Sequence, residues 1–152
     1  MMDRFEKGLG RLHPHVEAGF ECDARSVGAA RAFVDATLEA WGLDDSDQVA
    51  ALLTSEIATN AVVHARTAYR VAVDYRAPEV LVQVMDESPG LPVRRDPDPY
   101  EPTGRGLLLL DSYAARWGCR QQARGKSVWF VLRRPAVVAD RPAVRRTARS
   151  PA

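Results

Sequence analysis

Apolar residues recur along this chain with two different periods, and the switches between them mark out its elements. Residues 16–22 alternate weakly and read as an edge strand leading to Asp23 or Ser26. Over residues 26–43, Val27, Ala30, Phe33, Val34, Leu38 and Trp41 recur at helical spacing, with Ser26 as the cap and Gly42 as the stop. A second helix starts among the carboxylates of Asp44, Asp45 and Asp47, which suit a helix N-terminus. It runs through Val49, Leu52, Leu53, Ile57, Ala61 and Val62 to about residue 65. The period then shortens. Residues 69–75 and 80–85 are rich in β-branched and aromatic side chains and predict an antiparallel hairpin turning at Pro78. Pro89, Gly90, Pro92, Pro97, Pro99 and Pro102 exclude regular structure over most of residues 86–104, which read as a long loop. Helical spacing returns over residues 107–115, followed by a hairpin of residues 117–122 and 127–132 turning at 123–126. The expected order is β-α-α-β-β-loop-α-β-β.

Composition narrows this picture. At 152 residues, 46% hydrophobic and 27% charged, the chain is one globular domain's worth. A formal charge of +1 gives no overall field to draw nucleic acid or an anionic membrane. Cys22 and Cys119 lie far apart and outside any metal-ligand pattern, so a reducing cytoplasm is expected, with neither disulfide nor zinc. No apolar run approaches the roughly 20 residues of a membrane span, and the first ten residues carry charges where a secretory leader is apolar. Residues 1–15 read as an N-terminal extension. Residues 133–152 hold Arg133, Arg134, Arg141, Arg145, Arg146 and Arg149 but almost no large apolar side chain, and read as a disordered tail. Those arginines could meet an acidic partner, although a solvated tail is the plainer reading. No aromatic residue follows Phe130 to stack on bases, which argues against nucleic acid.

Three features carry candidate chemistry. Glu56, Asn60 and His64 stand at steps of four, so they project along one side of a helix otherwise committed to a core. Alone, such a row is more often a solvated face than a pocket wall. The apolar stretch 80–85 ends in Asp86-Glu87-Ser88-Pro89-Gly90, where a carboxylate can accept from an amino group and a glycine admits close backbone approach. A plain strand exit would look the same. Thr103-Gly104-Arg105-Gly106-Leu107 places a glycine pair directly before a helix, a ready phosphate site that is weak evidence by itself.

In this order and spacing the three together resemble the GHKL, or Bergerat-fold, ATPase and kinase superfamily, and within it the stand-alone anti-sigma-factor serine kinases. Residues 53–65 look like the family's N-box, residues 86–90 with Pro92 like its adenine box, and residues 104–110 with Trp117-Gly118 like its phosphate box. The run Gly125-Lys126-Ser127-Val128-Trp129-Phe130 is similar to its terminal strand, and the match covers residues 16–132. The resemblance implies a two-layer α/β (α+β) sandwich, a mixed but mainly antiparallel sheet covered on one face by about three helices. It implies ATP with Mg2+ as ligands: Asn60 holds the metal, Asp86 selects adenine with Gly90 beside it, and Gly104, Arg105, Gly106 and Leu107 receive phosphates under a proline-rich lid. Glu56 is the implied base, or orients the attacking hydroxyl. His64 either faces the phosphates or packs. Lys126 and Ser127 are further nucleotide candidates, an exposed hairpin lysine being the plainer reading of Lys126. One departure stands out: Ser88 replaces the first of two usual glycines, implying a narrower or differently hydrated base pocket.

Two functions follow. One is a serine/threonine protein kinase acting on an anti-anti-sigma (STAS-type) protein and sequestering a sigma factor in its other state, with a homodimer possible in that complex. The other is a non-catalytic module that binds a partner protein under control of ATP.

Overall fold

The computed structural model describes residues 13–88 and 104–135, with Gly104 and Arg105 described in their backbone alone. The anticipated loop tip with Gly90 and the residues after 135 lie outside the described residues.

Five strands form one sheet: β1 (His15–Phe20), β2 (Tyr69–Arg76), β3 (Glu79–Asp86), β4 (Arg116–Gln121) and β5 (Lys126–Arg133). Their order is β1-β2-β3-β5-β4, and every pairing is antiparallel rather than mixed. For β2–β3 and β4–β5 the reason is local, since short hairpins can only pair antiparallel. Ala77 and Pro78 join β2 to β3 across a cis peptide bond.

Alternation sorts the side chains onto two faces. Val71, Val73, Val80, Val82, Val84, Val128, Phe130 and Leu132 point one way into the main core, and are each at least nine-tenths buried. Burying a side chain of this kind stabilises by roughly 1.5–3 kcal/mol before entropy is counted, so this row fixes the strand register. Leu81, Trp129 and Val131 form a second cluster on the opposite face. There the Asp74 carboxylate accepts from His15 Nδ1 at 2.7 Å, which satisfies a charge in a mostly buried position.

The helices α1 (Ala24–Ala40), α2 (Val49–Asn60) and α3 (Gly104–Tyr113) supply the other layer. The cap of α1 is Asp23 rather than Ser26: its side chain accepts from the Arg25 N–H at 2.7 Å. The Ser26 hydroxyl instead bonds the Asp23 carbonyl and the Tyr69 hydroxyl, each at 2.7 Å, tying helix to sheet. Gly42 ends the helix as expected, with φ at 69°. The second helix begins at Val49, later than the acidic run suggests, because Gln48 takes a left-handed conformation with φ at 61°. The carboxylates still act as anticipated, since Asp47 accepts from the Val49 amide and Asp45 from the Ala50 amide, both at 3.1 Å.

Beyond Asn60 the helix widens into a π turn, Ala61–Ala65, closed by the Arg66 amide on the Ala61 carbonyl at 2.9 Å. The third helix starts at Gly104, so the glycines lie within its first turn rather than ahead of it. At the other end the fold continues past Leu132. Arg133 closes β5, and the Arg134 guanidinium bonds Asp45 at 3.0 Å and Asp47 at 2.9 Å, so neither belongs to a tail. Among the described residues no helix is long and apolar enough to cross a membrane.

Candidate functional site

The site forms where α2, the first turn of α3 and one end of the sheet approach each other. Glu56 and Asn60 lie on the α2 side that meets α3, and the contact is a glycine. A Cβ placed on Gly106 would stand 3.4 Å from Asn60 Nδ2, 3.6 Å from Glu56 Cβ and 3.9 Å from Glu56 Oε2. A methyl group there would meet them in ordinary van der Waals contact, so the polar row lies directly against the helix start. The amides of Gly104, Arg105 and Gly106 open α3 and have no partner inside the helix. Leu107, also expected to meet phosphate, turns its side chain to the core, and as the fourth helical residue its amide bonds back along the helix and falls outside this set.

At the sheet end, strand register lines up Phe20, Tyr69, Asp86, Lys126 and Gln121 in one row across five strands. All five residues share the parity of the core-facing side chains, so the row faces the helices. Asp86 is buried. Its Oδ1 accepts from the Ser88 amide at 2.8 Å and from Lys126 Nζ at 3.3 Å, while Oδ2 lies 3.0 Å from Nζ. The departure at Ser88 therefore matters little to this carboxylate, because Ser88 supplies a backbone N–H that any residue but proline would give.

Gly125 holds the corner together. Its φ is +95°, and a Cβ there would fall 1.9 Å from the Asp86 carbonyl oxygen, so β5 can start beside Asp86 only with glycine in this place. Nearby, burial pushes the Cys119 thiol up, while the Lys126 charge pulls it the other way.

The expected residues thus divide. Glu56, Asn60 and Gly106 are brought together, and Asp86 is buried at the end of the same layer. Lys126 is neither an exposed hairpin residue nor aimed at the helix start: it opens β5 and pairs with Asp86. Ser127 is turned away, since alternation sends its side chain to the opposite face, where it meets Gln83 at 3.4 Å. His64 is exposed on the π turn. Among the described residues no group of three or more His, Cys, Asp or Glu could hold a metal ion.

A family model described as histidine kinase-like ATPase domain matches residues 20–132. Among curated proteins none matches the chain.

Proposed function

We propose, from the premise that this chain belongs to the histidine kinase-like ATPase domain family and is an ATP-binding regulatory protein, that it acts as an anti-sigma-factor-type serine/threonine kinase. Its substrate is a hydroxyl of an anti-anti-sigma (STAS-type) protein, and in its other state it holds a sigma factor. The observation that carries this reading is the packing of Gly106 against Glu56 and Asn60, which sets a carboxylate and an amide beside the amides that open a helix.

The residues suit the ligands. Magnesium keeps most of its water and takes few protein ligands, so one amide oxygen from Asn60 with phosphate oxygens is an adequate donor set. The amide's nitrogen and oxygen ends exchange by a simple flip, so either can face the cation. The amides of Gly104, Arg105 and Gly106 would receive phosphate oxygens, and Asp86 would accept from the adenine amino group. ATP supplies, when bound, the phosphoryl group and leaves as ADP. Glu56 orients the incoming serine or threonine hydroxyl and takes its proton as the new P–O bond forms.

Calorimetric titration of ATP with magnesium tests the pocket. Wild type should bind, and Asn60→Ala should weaken binding about tenfold or more while leaving the fold intact. Phosphorylation of a STAS-type partner should then be lost in Glu56→Gln, whose ATP affinity stays near wild type. Unchanged transfer by Glu56→Gln would remove its role as base. Binding without transfer to any partner would instead identify a module that uses ATP only as a conformational ligand.

A further inference from the structure

The pairing of Lys126 with Asp86 goes beyond the nucleotide reading while resting on it. The two side chains are 12% and 5% exposed and face the helices from adjacent strands, Asp86 opposite Lys126 in the ladder. Burying an ion pair is costly, and replacing one by packed apolar groups is often neutral or stabilising. Stability is therefore a poor reason for this pair, and its unused hydrogen-bonding capacity suggests a better one.

A carboxylate offers about four acceptor positions. On Asp86, the Ser88 amide and the two contacts from Nζ occupy three of these, leaving one on Oδ2. An ammonium has three N–H donors. Two can point at the Asp86 oxygens, and among the described residues the third has no partner. A free acceptor and a free donor thus sit side by side in a mostly buried corner. Their complement is a ligand edge with a donor next to an acceptor, as in the amidine edge of a 6-aminopurine: the exocyclic N–H and the ring N1. A 6-oxopurine presents the reverse order and would set its carbonyl against the carboxylate.

We propose that Lys126 is a specificity-determining residue of the base pocket, donating to adenine N1 while Asp86 accepts from the exocyclic amino group.

The probe is 1-deaza-ATP, in which N1 is replaced by C–H, titrated with magnesium against ATP by calorimetry. Wild type should bind it about tenfold more weakly than ATP, the scale of one hydrogen bond from a charged donor. Lys126→Met should weaken ATP to a similar degree and bind the two nucleotides equally. Lys126→Gln, which keeps a donor without the charge and guards against misfolding of the methionine variant, should retain part of the preference. Thermal melts establish that each variant is folded. Equal binding of ATP and 1-deaza-ATP by wild type, or an undiminished preference in both variants, would overturn the role of Lys126 while leaving the ATP pocket standing. Failure of wild type to bind ATP at all would overturn both.

Discussion

Thr54 lies fully buried in α2, and among the described residues its hydroxyl oxygen has no hydrogen-bond partner. The fold therefore carries the desolvation cost of that oxygen, about 1–3 kcal/mol for an unmet buried group. Thr54→Val keeps the shape and removes the oxygen, and is expected to raise unfolding stability by about 1 kcal/mol in a urea titration. Gly125 predicts the opposite. With φ at +95° and the Asp86 carbonyl in the way, Gly125→Ala should destabilise by about 3 kcal/mol or more on the same measurement. At this scale the sequence was readable where a residue's role is local. Asn60 and Asp86 could be picked out because their neighbours mark a helix and a strand exit, whereas the fate of Lys126 depends on where β5 begins and which strand it pairs with. A usable signal existed: Lys126, Val128, Phe130 and Leu132 share one parity, and three of them are plainly core residues.

Among the elements, helices and hairpins were legible because their periods are strong, and their ends were not. The first turn of α3 holds two glycines, poor helix formers that propensity alone places outside a helix. This turn of α3 packs directly against Asn60 and Glu56, a fact of packing between distant segments. The π turn was equally hidden, since Ala61, Val62 and Val63 continue an ordinary helical pattern. On α1, burial raises the Asp35 carboxyl above its ordinary value of 3.8, with Asp45 adding to the rise. The folded state then holds this proton more tightly than the unfolded chain, so stability falls as pH rises through the carboxylate range. Asp35→Asn should accordingly melt at a higher temperature than wild type at about pH 7. The gap should close at about pH 3, where both side chains are neutral.

Over the whole molecule, Arg134 joins the end of the sheet to the segment that starts α2. Its amide donates to the Pro78 carbonyl at 2.7 Å, and its guanidinium reaches Asp45 and Asp47. Arg134→Ala would leave the largely buried Asp45 carboxylate without its cation, and a loss of roughly 2–3 kcal/mol in urea unfolding is expected. Composition alone gave no hint of this, because Arg134 belongs to an arginine-rich segment and its carboxylate partners lie almost ninety positions away. The β3–β5 ladder has a different kind of consequence. Hairpins β2–β3 and β4–β5 close over short turns, but joining them brings together strands separated by about forty residues, a costlier closure that ordinarily comes later in folding. Asp86 belongs to one hairpin and Lys126 to the other, so the proposed base-reading corner does not exist until that seam has formed. A ligand seated there grips both halves of the sheet at once. A nucleotide bound at this proposed site would oppose the seam's opening, so raising its concentration would slow unfolding.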